Sequence, residues 1–112
     1  MKVLIFGSRG CHPSPSDIHE CLDQNNIVPT LIISGCAAGA DKAGERWAQL
    51  HGIEIKKFPA NWAFYGKRAG FVRNAEMVRE CDVGIAFWDG ISEGSKNTIQ
   101  LLFNAGKPYF IY

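Results

Sequence analysis

Lys2-Val3-Leu4-Ile5-Phe6-Gly7-Ser8-Arg9-Gly10 opens the chain with a short apolar run that stops at glycine. A run of this kind, bounded by a turn, reads as a buried strand. A helix start follows at Ser14-Pro15-Ser16-Asp17. Ser14 can cap, Pro15 suits the first helical position, and Asp17 stands where a capping box wants a carboxylate. Ile18, Cys21, Leu22 and Asn25 then fall at helical spacing, and Pro29 marks the turn out. Strand, glycine turn and helix in that order set the pattern for the whole chain.

The pattern repeats. Thr30 to Ser34 is β-branched and apolar and ends at Gly35. Gly39-Ala40-Asp41 opens a helix that puts Ala40, Ala43, Gly44, Trp47 and Ala48 on one face, with Gly52 as its stop. Ile53 to Phe58 carries Lys56 and Lys57 and reads as an edge strand, where lysine discourages edge-to-edge pairing. Pro59 to Gly66 reads as an aromatic loop. A helix is predicted over about Lys67 to Glu80, with Val72, Ala75 and Val78 inward. Asp82 to Trp88 is the fourth strand. Gly94 to Ala105 is the last helix, with Ile99, Leu102 and Phe103 inward, and Pro108 to Tyr112 is the fifth strand.

Strands separated by helices of this length form parallel βαβ units, and right-handed crossovers leave few arrangements. The expectation is a Rossmann-like α/β domain spanning 1–112, a three-layer αβα with a five-stranded parallel sheet in the order 3-2-1-4-5. Ligands in such sheets bind outside the carboxyl ends of the strands, where the order reverses. Here that point lies between the first and fourth strands.

Composition narrows the function. The chain has 112 residues, enough for one core and not for a second domain to close over a ligand. Twelve Lys and Arg against 11 Asp and Glu leave a net charge of +1, no case for holding long nucleic acid by bulk attraction. The apolar runs fall far short of the roughly 20 residues a membrane helix needs. Met1-Lys2 leads straight into a strand, so no signal peptide is expected and the location is read as cytoplasmic. Cys11, Cys21, Cys36 and Cys81 show no metal-ligand spacing and read as reduced thiols, with no metal and no cofactor implied. Cys11 and Cys36 both follow neighbouring strands.

Three strands exit into glycine: Gly7-Ser8-Arg9-Gly10, Gly35-Cys36-Ala37-Ala38-Gly39, and Asp89-Gly90 followed by Gly94-Ser95. In the expected order these strands are neighbours, so the three turns meet at one edge. A helix N-terminus presents unpaired N–H groups and positive potential, and glycine lets backbone approach a phosphate. Ser8, Ser34, Ser95 and Thr98 add hydroxyls, and Arg9 can grip phosphate or carboxylate in two places. No Walker A loop is present. Arg73-Asn74 should face the same edge, and Asn61-Trp62 could cover a base by stacking.

Taken together, Gly7-Ser8-Arg9, Ser34-Gly35 through Gly39-Ala40-Asp41, Glu45-Arg46-Trp47-Ala48, Arg73-Asn74 with Met77, and Ala86 to Gly90 leading to Gly94-Ser95 resemble the cpYpsA-related SLOG family (YspA-like). That family lies within the SMF/DprA–LOG superfamily, and the resemblance runs from Val3 to Tyr109. It implies binding of a nucleotide or nucleotide-derived ligand by Gly7, Ser8, Arg9, Ser34, Gly35, Gly39, Asp41, Arg73, Asn74, Trp88, Asp89, Gly94 and Ser95. The related LOG branch implies an alternative, a phosphoribohydrolase that cleaves a base from a nucleoside monophosphate. Its glutamate, in a P-G-G-x-G-T-x-x-E motif, falls on Thr98 here, which argues against that route. Cys36 stands where a second glycine is expected. If the chain is catalytic, Asp41, Arg73 and Asp89 are the candidates. LOG-like relatives imply a homodimer, for which the aromatic loop, Phe110 and Tyr112 offer apolar surface. The DprA branch implies single-stranded nucleic acid along Lys56, Lys57, Lys67 and Arg68 with Trp62 and Tyr65. The near-neutral charge speaks against that reading.

Overall fold

β1 (Lys2–Gly7) runs through the middle of the molecule, and Val3, Leu4 and Ile5 have no exposed surface. A computed structural model describes all residues 1–112. β2 (Leu31–Ser34) and β4 (Val83–Phe87) flank β1, β3 (Glu54–Lys57) lies outside β2, and β5 (Tyr109–Ile111) lies outside β4. All pairings are parallel and the order is β3-β2-β1-β4-β5, as the sequence pattern predicts. Gly7 pairs with Phe87, so the first and fourth strands end level with each other.

The helices cover both faces. α1 (Pro15–Gln24) and α2 (Ala40–His51) pack on one side around Val3, Ile5, Ile18, Leu22, Ile32, Trp47 and Ile85. α4 (Ala69–Glu80) and α5 (Glu93–Asn104) pack on the other around Leu4, Phe6, Ile33, Met77, Val78 and Leu102. Each of these large side chains contributes roughly 1.5–3 kcal/mol by leaving water. α1 starts as its sequence predicts. Ser14 Oγ accepts the Asp17 N–H and Asp17 returns the bond to the Ser14 N–H, with Pro15 in the first turn. α2 approaches β1 closely because Gly44 has no Cβ; one there would stand 2.9 Å from Ile5 Cβ.

Three local expectations need correction. The segment predicted as an aromatic loop contains a short helix, α3 (Trp62–Tyr65), capped by Asn61 through the Phe64 N–H at 3.1 Å. Gly66, at φ 59, breaks it, and one 3₁₀ turn (Gly66–Arg68) leads into α4, which therefore begins at Ala69 rather than Lys67. On α4 the buried face is Ala69, Asn74, Met77 and Val78, with Val72 and Ala75 only half-buried. An asparagine sits inward because α5 supplies it with acceptors. On α5 the buried stripe is Ser95, Thr98 and Leu102, and Phe103 is 66% exposed. The helix phase is set by its two hydroxyl residues facing the site, which turns Phe103 past the edge of the core. No helix is long and apolar enough to cross a membrane.

Candidate functional site

A cleft of about 380 Å³ opens at the carboxyl ends of β1 and β4, where the strand order reverses. The β1 exit supplies Gly7, Ser8, Arg9 and Gly10, and the β4 exit supplies Asp89 and Ser92. α2 contributes Asp41, with Ala37 from the loop before it. α4 contributes Arg73, Asn74 and Met77, and α5 contributes Gly94, Ser95 and Thr98.

Ser8 ties the first wall together. Its N–H donates to the Phe87 carbonyl at 3.0 Å, extending the β1–β4 ladder by one residue. Its Oγ accepts the Asp89 N–H at 3.0 Å and lies 3.2 Å from Ser92 Oγ. Asp89 is exposed, and one of its oxygens accepts the N–H groups of Ile91 at 2.8 Å and Ser92 at 2.9 Å. Those bonds, Ser92 first, hold its carboxyl below the ordinary carboxylate range.

The second wall is buried. Ser34 Oγ donates to Glu45 Oε2 at 2.6 Å and accepts the Cys36 N–H at 3.1 Å. Cys36 has φ 66, a conformation rare for a residue with a side chain. This contact lets the chain turn sharply out of β2 and return as α2. Asp41 Oδ2 accepts the Ala37 N–H at 3.2 Å. Burial pushes its carboxyl up from the usual range to about 6; the Ala37 bond, Arg73 and Lys42 oppose the shift, and Glu45 adds to it. Gly39, at φ 80, caps α2 where the β1 and β2 exits touch; a Cβ there would stand 2.6 Å from the carbonyl oxygens of Ser8 and Arg9.

α4 and α5 close the far side. Arg73 Nη1 donates to the Gly35 carbonyl, and its Nε donates to Asn74 Oδ1 at 3.0 Å. Asn74 Nδ2 donates in turn to the Gly94 carbonyl at 3.3 Å and to Asn97 Oδ1 at 3.1 Å. Thr98 Oγ1 also donates to the Gly94 carbonyl, at 3.1 Å. Ser92 caps α5 by position but makes no side-chain bond to it. The first turn of α5 therefore has no side-chain cap, and Gly94 and Ser95 of that turn line the cleft at the positive end of the helix dipole. The arrangement can receive an anion at α5 and Arg73 and hydroxyl groups at Asp41 and Ser8.

Of the residues singled out from sequence, Gly7, Ser8, Arg9, Asp41, Arg73, Asn74, Asp89, Gly94 and Ser95 line this cleft. Ser34, Gly35, Gly39 and Trp88 do not. Ser34 is wholly buried and faces Glu45. Gly35 lies under Arg73 and accepts its guanidinium through the carbonyl. Gly39 is spent on the contact between two loops. Trp88 donates its Nε1 to the Ser92 carbonyl at 3.1 Å and packs against the α4–α5 core. All four brace the site from behind. Ser92 and Ala37 line it without having been singled out. α5 begins at Glu93, one residue before the predicted start at Gly94, which makes Ser92, a residue type that caps favour, its N-cap.

Residues 1–65 match the family described as "YspA, cpYpsA-related SLOG family". The chain belongs to that family. Gene 61 protein of Mycobacterium phage D29 is 34% identical over 115 residues, covering 96% of this chain and 92% of its own length. DNA processing protein A (DprA) from Streptococcus pneumoniae superposes with a TM-score of 0.72 at 21% identity, covering 98% of this chain. The chain spans about half of that structure, 49% of it, and the likeness is one of fold. The Rossmann-like α/β architecture and the SLOG membership inferred from the motifs therefore both hold. The matched 65 residues contain the Gly7 turn, the Ser34–Glu45 brace and Asp41.

Proposed function

We propose that this SLOG protein binds a phosphorylated, nucleotide-derived small molecule in the cleft and acts as a sensor or binding module in the cytoplasm. One observation carries the reading. The uncapped first turn of α5 and Arg73, held by Gly35 and Asn74, face the same space as the Ser8 loop. Backbone N–H groups at a helix start and a fixed guanidinium are the two groups best suited to phosphate. The membership in a SLOG family adds nucleotide chemistry to that anion site. Titration calorimetry against nucleoside mono- and diphosphates and ADP-ribose-like compounds tests it. Saturable binding that Arg73→Ala removes is the expected result. No heat and no thermal shift with any of them at millimolar concentration overturns the proposal.

A second reading has one observation in its favour. Asp41 titrates near pH 6 beside Arg73, close enough to neutrality to move a proton. A nucleotide N-glycosidase would use it to activate water or to stabilise charge on the sugar. Asp89 is a poorer candidate, since two N–H groups on one of its oxygens hold its carboxyl below the ordinary range. Release of free base from nucleoside monophosphates, detected by chromatography and lost in Asp41→Asn, supports the enzyme. Binding without base release supports the sensor. A long nucleic-acid ligand fits less well. Two of the lysines in the basic strip are engaged, Lys56 with Glu80 at 3.1 Å and Lys57 with Glu45 at 3.6 Å.

A further inference from the structure

Trp62 is 57% exposed, at the start of a four-residue helix that buries none of its residues. Exposed apolar residues are common on this surface, Phe64 and Ile91 among them, so exposure alone says nothing of Trp62. Its place is specific. The far corner of the ring, Cη2, reaches the first turn of α4, 3.7 Å from where a Cβ of Gly70 would stand. Arg73 Nη2 reaches the same point from the cleft side, at 3.9 Å. Two of the three guanidinium nitrogens of Arg73 are committed, Nη1 to Gly35 and Nε to Asn74, which leaves Nη2 as its free edge. Gly70 has no side chain to separate that edge from the indole. Arg73, which lines the cleft, and the Trp62 ring, which lies outside it, thus approach each other over bare backbone.

We infer that Trp62 is the base-stacking platform of this site, so that the ligand is a nucleotide carrying its aromatic base rather than a sugar phosphate. The inference rests on the phosphate-binding reading above. A phosphate seated at α5 and Arg73 leaves the ribose against Asp41 and the Arg73 edge. The next group outward passes over Gly70 and meets the indole. Stacking tolerates any base because every base has a π face, and one such contact changes affinity by about tenfold or more. Asn61 fixes the platform by capping the helix that Trp62 begins. Trp62 stands outside the residues that line the cleft, beyond Gly70; the one aromatic ring in that lining is Phe6, which lies in the floor within the α4–α5 core.

The test compares the four nucleoside 5′-monophosphates with ribose 5-phosphate by calorimetry on the wild type, Trp62→Leu and Trp62→Phe. Leucine is apolar and lacks a π face. In the wild type, at least one nucleotide should bind about tenfold more tightly than ribose 5-phosphate, with quenching of tryptophan fluorescence. Trp62→Leu should bring that nucleotide to the level of ribose 5-phosphate and leave the sugar phosphate unchanged. Trp62→Phe should restore most of the difference. Equal affinity of nucleotides and ribose 5-phosphate in the wild type overturns the platform but leaves the phosphate site standing. A loss in Trp62→Leu that is equal for both ligands also overturns it, since that marks a structural role. Failure of the wild type to bind any of the five overturns the platform, and the phosphate site falls with it when the nucleoside diphosphates and ADP-ribose-like compounds also give no heat.

Discussion

The loops leaving β2 and β4 both bring an aspartate to the cleft, and they treat it in opposite ways. The β4 loop is local. Asp89 accepts the N–H groups of the two residues that begin the next turn, stands in solvent, and keeps its charge below the usual carboxylate range. The β2 loop is assembled from distant parts. Ser34 reaches Glu45, Asp41 reaches Ala37, and Arg73 arrives from α4 to hold Gly35. The carboxylate it presents is buried and pushed up to about 6. A local turn stabilises the ion it carries, whereas the assembled wall holds an ion at the expense of the fold. Charge held against its own solvation sets the assembled wall apart from the local turn.

The comparison breaks most severely at Gly39, where the β1 and β2 exits meet. Gly39→Ala places a Cβ 2.6 Å from two carbonyl oxygens at φ 80. Left-handed strain and a backbone clash together should cost about 3 kcal/mol, read as a lower urea midpoint with unchanged slope. A midpoint within error of the wild type would mean that the two loops do not touch as described.

Asp41→Asn should move stability the other way. The folded carboxyl is pushed up to about 6, and the unfolded one keeps the ordinary 3.8. Between those values the native state holds a proton that the unfolded state has lost, so stability falls as pH rises from about 4 to about 6 and stays low above. At pH 7 the burden is on the order of 3 kcal/mol. Asparagine keeps an oxygen for the Ala37 N–H and removes the charge. Its melting temperature should exceed the wild type's at neutral pH, and the gain should shrink towards pH 4. A gain that is constant across that range would remove the buried charge as its cause. Ser34→Ala should cost about 1–2 kcal/mol by leaving the Cys36 N–H and a Glu45 oxygen short of a partner. It should also weaken ligand binding without touching the cleft.

The strand order was legible because glycine and apolar runs alternate so regularly, and because lysine on Ile53 to Phe58 left only one edge for that segment. The cleft was legible for the same reason, since level strand ends bring their turns together. What stayed hidden was direction. Ser34 carries a hydroxyl at a strand exit, yet it turns inward because Glu45, one α2 turn beyond Asp41, is buried against it. No spacing in the sequence shows which of two polar neighbours faces the ligand and which faces the brace. Trp88 likewise turns from the cleft, its indole drawn back to the Ser92 carbonyl. Helix phase failed at Phe103 because Ser95 and Thr98, polar residues, occupy the buried stripe.

Asp89→Asn should have the smallest effect, and its pH profile sharpens the contrast with Asp41. The amide oxygen can accept the same Ile91 and Ser92 N–H groups, so the turn survives. A carboxylate with a depressed folded pKa contributes stability above the unfolded value, and that contribution is lost as pH falls through the folded one. From about pH 5 upward both states of Asp89 are ionised, so the difference between wild type and Asp89→Asn should be flat there and change only below about pH 4. Asp41→Asn should change across the interval in which Asp89→Asn is level. The melting temperatures of both variants, measured on one buffer series, check this directly. A slope between pH 5 and 7 in Asp89→Asn would mean that this carboxylate too is held against its solvation. The two strand exits would then share one electrostatic design, and the division between a local turn and an assembled wall would fall.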